Sequence, residues 1–372
     1  MSHASEGPPG ADEDVRYMRA ALNLGERELG RTWPNPAVGA LVVREGVVVG
    51  RGWTKQGGRP HAERVALAEA GEAARGATLY VSLEPCSHHG RTPPCADAII
   101  EAGIARVVSA LEDPNPLVGG QGYARMRNAG IEVRENVLRA EAVRSHAGHL
   151  SLILRKRPHV TLKLAISSNG KTGMAGPRPA PVTGEAARDI VHMMRARSDA
   201  IAVGIGTVLA DDPLLTCRLP GMEDRSPLRV VFDSRLRLPP ASRLAASARS
   251  VPVWVVTGEA SREEEGVLAS HGVEVIRAQA AQAGVDLPMA LRLLASRGVT
   301  RLMVEGGPTL AAALLKADLV DEAVIFQSPV PLPDDGPDAF SAPHGQVLRA
   351  HGLNLRYTRH AGGDEMFVYE RG

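Results

Sequence analysis

Two rounds of strand and helix alternation, separated by a short basic stretch, constrain this chain more than any other feature. In the first round, residues 14–28 have helical spacing, with Val15, Met18, Leu22 and Leu29 on or near one face. Pro34-Asn35-Pro36 then breaks the chain, and two β-branched runs, 37–43 and 47–49, meet through Glu45-Gly46 as a hairpin. A helix over 61–70, a strand over 78–83, a helix over 96–102 and a strand over 106–110 complete the round. The second round places strands at 160–166, 200–203, 229–232, 253–256, 273–276, 301–304 and 323–326, with helices such as 185–197 and 308–316. Its end, 353–370, reads as two strands around Gly362-Gly363, which gives a parallel sheet an antiparallel edge. Between the rounds lies Ser-Leu-Ile-Leu-Arg-Lys-Arg-Pro-His, residues 151–159, basic and proline-containing as domain linkers are. The fold class is therefore α/β in two domains: an α/β/α layer over 13–150 and a second α/β domain over 160–372. The chain has 372 residues, which at roughly 150 per domain agrees with that division.

The composition narrows the function. Apolar residues make up 44% of the chain and charged residues 23%, as in soluble globular domains. Against 43 Lys and Arg stand 42 Asp and Glu, so no positive field is available to track a polynucleotide. Aromatic residues, at 3%, are too few for base-stacking platforms, and a small-molecule substrate is expected instead of nucleic acid. No run approaches the ~18 apolar residues of a membrane span. Residues 1–12 are acidic and rich in Gly, Pro and Ser, without the features of a signal peptide. They read as a disordered extension of a cytoplasmic protein. Three cysteines, Cys86, Cys95 and Cys217, are too few for a disulfide framework.

The sharpest chemical signal is His61-Ala62-Glu63, followed by Pro85-Cys86 and then Cys95. One imidazole and two thiolates give Zn²⁺ three protein ligands and leave its fourth tetrahedral position to water, the stoichiometry of a catalytic site. Zinc lowers the pKa of such a water, and a carboxylate that is not a ligand must carry protons to the leaving group. Glu63, two residues from His61 in the first turn of a helix opened by Pro60, suits that task. The zinc deaminase signature pairs H-x-E with P-C-x-x-C, whereas here residues 87–94 separate the two cysteines. A closed structural zinc is the bland alternative, with His88 or His89 as the fourth ligand, and two buried thiols without metal the blandest.

The second round carries no Gly-x-Gly-x-x-Gly turn; Gly204-Ile-Gly206 lacks the third glycine. Val304-Glu-Gly-Gly-Pro-Thr309 is more informative, because paired glycines permit close backbone approach and Pro308 opens a helix whose free N–H groups suit phosphate. A tight turn with no ligand is the competing reading.

Glu84-Pro-Cys-Ser-His-His-Gly-Arg-Thr-Pro-Pro-Cys95, with Thr32-Trp-Pro-Asn-Pro-Ala-Val-Gly39 and His61-Ala-Glu63, resembles the deaminase half of the bifunctional riboflavin-biosynthesis deaminase/reductase family. The long run between the cysteines is a mark of that family. Leu162-Lys-Leu-Ala165, the run 198–213, Leu215-Thr-Cys-Arg218, Arg229-Val-Val-Phe-Asp233 and Glu305-Gly-Gly-Pro-Thr-Leu310 resemble, in order, its reductase half. The resemblance implies a cytidine-deaminase-like domain followed by a dihydrofolate-reductase-like domain. It implies one Zn²⁺ held by His61, Cys86 and Cys95, Glu63 as the catalytic residue, and NADPH as cofactor. The implied substrate is 2,5-diamino-6-(5-phosphoribosylamino)pyrimidin-4-one, which loses its 2-amino group as ammonia before its ribosyl group is reduced to ribityl.

By motif position Asn35 contacts the pyrimidine, and Arg91 with Asn115 the sugar phosphate side. Ile166, Pro181, Thr207, Asp211, Ser234, Gly306 and Gly307 fall on cofactor contacts. Pro179, Arg195, Leu215, Arg218 and Glu305 fall on contacts to the substrate of reduction. An amide suits a heterocycle edge, and arginines suit a phosphate monoester. The family forms homo-oligomers, which the resemblance carries to this chain. Two departures stand out: Ser167-Ser-Asn-Gly170 replaces Ser-Leu-Asp-Gly, and Pro181-Val-Thr183 replaces Trp-Ile-Thr. Residues 329–339 also differ from the family's pattern. A deaminase with a C-terminal module that only binds or regulates is therefore the rival reading; a nucleic-acid deaminase and a structural zinc protein are the remoter ones.

Overall fold

A computed structural model of the chain describes residues 11–88, 93–116, 118–174, 181–278, 280–281 and 284–372. It divides into two compact units, Met1–Lys156 and Arg157–Gly372.

The first unit runs α1 (Ala11–Gly25), β1 (Gly39–Arg44), β2 (Val47–Trp53), α2 (Ala62–Ala70), β3 (Thr78–Val81), α3 (Cys95–Glu101), β4 (Arg106–Ser109), α4 (Gln121–Asn128), β5 (Glu132–Arg134), α5 (Arg139–Ser145) and α6 (Ala147–Arg155). Its sheet has the order β2-β1-β3-β4-β5. β1 pairs antiparallel with β2 and β3, while β3, β4 and β5 run parallel. The apolar stripe of α1 is buried at Met18, Ala21 and Leu22, as its spacing requires. Gly52 lets α2 lie directly on β2: a Cβ there would stand 2.0 Å from the Ala62 carbonyl oxygen. That close approach seats the first turn of α2, and with it His61 and Glu63.

The first helix begins at Ala11, two residues inside the stretch read as an extension. Residues 1–10 lie outside the described residues, and Asp14 in the first turn of α1 is buried. Its carboxylate accepts hydrogen bonds from Tyr80 Oη (2.9 Å) and from Arg106 Nη1 and Nη2 (2.8 and 2.9 Å), with Arg134 as a further partner. One helix residue thus ties α1 to β3, β4 and β5.

The stretch 151–159 is also more ordered than a linker. Residues 151–155 are the second half of α6, and His159 opens β6. Arg157 pairs with Asp321 through Nη2 and Oδ1 at 2.8 Å, and the Val160 N–H donates to the same carboxylate at 2.9 Å. Of the basic residues that mark the boundary, Arg155 ends α6, while Lys156 and Arg157 lie between α6 and β6, Arg157 held by Asp321.

The second unit comprises β6 (His159–Ile166), α7 (Glu185–Ala196), β7 (Ala200–Gly204), α8 (Ile205–Asp211), β8 (Leu228–Phe232), α9 (Arg243–Ala246), β9 (Val253–Thr257), α10 (Arg262–Ser270), β10 (Val273–Arg277), the small hairpin β11 (Ala280–Ala281) and β12 (Gly284–Val285), α11 (Leu287–Ser296), β13 (Arg301–Val304), α12 (Pro308–Lys316), β14 (Glu322–Gln327), α13 (His344–Ala350), β15 (Leu353–Ala361) and β16 (Asp364–Arg371). The nine-stranded sheet has the order β10-β9-β8-β7-β13-β6-β14-β16-β15. Strands from β10 to β14 in that order run parallel; β16 and β15 add the expected antiparallel edge. β8 is buried along its whole length, as a central strand covered on both faces must be. Each such Val or Leu contributes about 1.5–3 kcal/mol of burial. The chain leaves β6 towards β7, β8, β9 and β10, then returns as β13 between β7 and β6. The carboxyl ends at that reversal are where open α/β sheets hold ligands.

Candidate active sites

Among the described residues, His61, Cys86 and Cys95 are a group able to hold a metal, their ligand atoms all within 4.8 Å of one another. His61 is the N-cap of α2, Cys95 the first residue of α3, and Cys86 lies in the segment that follows β3. The segment after a central strand and two helix starts thus converge. Cys86 Sγ and Cys95 Sγ stand 3.7 and 3.3 Å from His61 Nδ1. A tetrahedral zinc with bonds of about 2.0–2.3 Å needs donors about 3.6–3.8 Å apart, so the set fits the ion with small adjustment. The Cys95 N–H donates to Cys86 Sγ at 3.3 Å, and the Ala96 N–H to the Cys86 carbonyl at 3.1 Å. The first turn of α3 thereby holds the Cys86 segment, and its free N–H groups favour a thiolate. Hydrogen bonding from Cys95 draws the Cys86 thiol down to the anion, while the neighbouring thiolate and burial push Cys95 up. Both sulfurs bind a divalent cation as thiolates, so metal binding there would release their protons.

Glu63 is buried in the first turn of α2, and burial pushes its carboxyl above the ordinary carboxylate value. A group that takes and returns a proton near neutrality needs that direction of shift. Asn35 is half-buried between its two prolines, its backbone tied to Thr32 in both directions. Gly58, at φ +82°, makes room for it: a Cβ there would stand 2.0 Å from Asn35 Nδ2.

Arg91 lies outside the described residues. Asn115 is half-buried in the segment before α4, where its N–H donates to Asp113 Oδ1 at 2.9 Å. Sequence reasoning gave Glu84 no role, yet this buried carboxylate organises that segment. Its Oε2 accepts from the Asp113 and Gly120 N–H groups (3.1 and 2.9 Å), and its Oε1 from Gly122 (2.8 Å). A carboxylate two residues before a metal ligand thus carries the loop of Asn115. Only the quoted Glu84-Pro-Cys run hinted at it, since buried glutamate is rare without such partners.

In the second unit, most of the expected cofactor residues fall at or just beyond four adjacent strand ends. Ser234 follows β8, Thr207 and Asp211 lie in α8 after β7, Gly306 and Gly307 follow β13, and Ile166 ends β6. Gly307 caps α12, and a Cβ on it would stand 3.8 Å from Thr207 Oγ1. Two strand-to-helix turns therefore meet side by side, with the open backbone that a dinucleotide phosphate requires. Pro181 is exposed, and Pro179 lies outside the described residues.

The residues expected at the substrate of reduction also converge. Arg195, near the end of α7, grips Glu305 with Nε to Oε1 at 2.7 Å and Nη2 to Oε2 at 2.9 Å; its Nη1 donates to the Thr216 carbonyl at 3.0 Å. Leu215, buried beside it, has φ +57°, a left-handed conformation that a non-glycine residue holds only under constraint. The constraint is visible: Arg229 Nη1 donates to Leu214 O at 3.2 Å and Arg195 to Thr216 O, so both flanking carbonyls are held. Arg218 is exposed, its N–H donating to His192 Nδ1 at 3.3 Å. Of the two arginines read as phosphate contacts, Arg195 is thus already engaged by a carboxylate, and Arg218 presents its side chain to solvent.

Lys163 and His192 went unassigned in the sequence. Lys163 Nζ lies 3.9 Å from Glu305 Oε2, and burial pushes its ammonium down. Its polar position within the alternation of β6 was the available signal.

A three-ligand metal group beside a buried glutamate on a five-stranded α/β sheet defines a zinc-dependent deaminase domain, here followed by a second α/β domain. The model of the cytidine and deoxycytidylate deaminase zinc-binding region matches residues 11–111, and that of the RibD C-terminal domain matches residues 158–367. The riboflavin biosynthesis protein RibD of Escherichia coli (strain K12) is 40% identical over 95% of this chain and 98% of its own length. A solved Acinetobacter baumannii RibD superposes with a TM-score of 0.86 at 36% identity, covering 97% of this chain and 99% of that one. The diaminohydroxyphosphoribosylaminopyrimidine deaminase/5-amino-6-(5-phosphoribosylamino)uracil reductase of Thermotoga maritima superposes at 0.83 with 33% identity, covering 97% and 99%. The chain belongs to the RibD family of riboflavin biosynthesis and carries both its deaminase and its reductase domain.

Proposed function

We propose that the chain performs two consecutive reactions of riboflavin biosynthesis: hydrolytic deamination of 2,5-diamino-6-(5-phosphoribosylamino)pyrimidin-4-one, then NADPH-dependent reduction of the ribosyl side chain to ribityl. The observation that carries this reading is the His61, Cys86 and Cys95 group beside buried Glu63, in one chain with the glycine-lined strand ends of the second unit. Zinc, when bound, supplies the Lewis acid that activates water near neutral pH. Glu63, buried in the first turn of α2, would hold a proton at its carboxylate and pass it to the departing amine. Asn35 orients the pyrimidine edge, while Arg91 and Asn115 hold the sugar phosphate side. In the second unit Ile166, Pro181, Thr207, Asp211, Ser234, Gly306 and Gly307 seat the dinucleotide, which supplies the hydride for C1′ of the opened sugar. Pro179, Arg195, Leu215, Arg218 and Glu305 bind the deaminated substrate, with Arg195 aligning Glu305 and the Leu215 turn.

Glu63→Gln tests the assignment: zinc should stay bound and ammonia release should stop, while reduction of supplied deaminated substrate continues. Ammonia release at the native rate would remove Glu63 from its role. Among the described residues no helix is long and apolar enough to cross a membrane. The same reading makes the enzyme a cytoplasmic homo-oligomer acting on a free small molecule, not on nucleic acid. Light scattering on the purified chain checks the oligomeric state, and competition by RNA in the ammonia assay checks that nucleic acid is not the substrate.

A further inference from the structure

Asn169 and residues 329–339 touch each other. Beyond the end of β14, residues 328–339 run along the turn that follows β6. The Ser328 N–H donates to the Ile166 carbonyl at 2.8 Å, and the Ser168 N–H to Val330 O at 3.2 Å. Further on, Thr172 N donates to Pro337 O at 2.9 Å, Ala339 N to Gly170 O at 3.0 Å, and Lys171 Nζ lies 2.9 Å from Asp338 Oδ1.

Asn169 stands at the middle of this zipper. Its Nδ2 donates to Leu332 O at 2.8 Å and to Asp334 Oδ1 at 3.1 Å. Its Oδ1 accepts from the Leu332 N–H at 3.1 Å and from Ser167 Oγ at 2.6 Å. An asparagine side chain offers two donors and two lone pairs, and all four are used. Aspartate would offer acceptors alone, set against the Leu332 carbonyl and the Asp334 carboxylate.

We propose that Asn169 is a positioning residue of the reductase half: its carboxamide fixes residues 328–339 as a wall of the cofactor cleft at the carboxyl end of β6. The wall begins on the carbonyl of Ile166, so its place governs how closely the cofactor can be held. This inference rests on the reading that NADPH lies along that sheet edge.

The test uses the full chain. In Asn169→Asp, amide hydrogen exchange over 328–339 should accelerate about tenfold or more, and the Kd and KM for NADPH should rise together by about five- to thirtyfold. The kcat of reduction should stay within about twofold, and ammonia release should be unchanged, which reports an intact fold. Asp334→Asn alone keeps an acceptor facing Asn169 and should behave as wild type. Combined with Asn169→Asp it restores one donor and should recover part of the affinity, a coupling that a general loss of stability would not produce. An unchanged NADPH Kd in Asn169→Asp, or a weakened one that Asp334→Asn does not improve, overturns the proposal. A wild-type chain that fails to bind NADPH would instead strike the reductase reading on which the proposal rests.

Discussion

The two sites are assembled by opposite means. The metal group consists of side chains, drawn from between positions 61 and 95, each placed by the end of a helix or strand. In the second unit the residues expected to hold the cofactor run from Ile166 to Gly307 and fall chiefly on turns at four strand ends, with the Arg195 and Glu305 pair as a brace. A site made of side chains fails when one atom is removed. A site made of backbone fails when the charge or hydrogen bond bracing it is broken. The halves should therefore respond differently to substitution, and each should serve as the other's internal control.

The largest effect is expected from Cys95→Ala, which removes a metal ligand. Zinc content should fall to near zero and ammonia release to background, with reduction of deaminated substrate unaffected, as metal analysis beside both assays will show. A strong chelator should reproduce this selectivity, and loss of reduction with the metal would break the contrast. Glu63→Gln comes next, at about 10²–10⁴-fold on deamination with zinc retained.

Glu305→Gln should act on the second unit alone. It leaves Arg195 buried beside a neutral amide, and breaking a buried pair in this way costs about 3–5 kcal/mol. Earlier melting of the second unit, together with lost reduction, is the expected observation; a neutral outcome would show that the pair braces nothing. The smallest effect belongs to Glu84→Gln, which weakens the hold on the loop of Asn115 by about 1–3 kcal/mol. It should raise the KM for the diamino substrate more than it lowers kcat, with zinc still bound.

The same contrast governs what was legible in the sequence. Ligand side chains are visible as letters, so His61, Glu63, Cys86 and Cys95 stood out by type and order, and the strands of the second unit by their β-branched runs. Bracing contacts are not visible in that way. Asp14 reads from the sequence only as the first residue of a helix, yet it is buried because Arg106 and Arg134, far along the chain, converge on it. Arg195 was expected to grip phosphate, and only the fold shows that Glu305 takes up its fork. Asn169 looked like the loss of a carboxylate, whereas its amide meets a loop some 160 positions later in the chain. Pairings at such separation are decided by topology, which local periodicity does not encode.

The most direct measurement follows ammonia release and NADPH oxidation together in one reaction started with the phosphoribosylaminopyrimidine. In the wild-type chain ammonia should appear first, and NADPH should be oxidised after it in equal amount. Glu63→Gln should abolish both from the diamino substrate yet oxidise NADPH at the native rate when given the deaminated one. Ammonia release without any NADPH oxidation on either substrate would contradict this expectation, leaving a deaminase joined to a domain with no reductase activity.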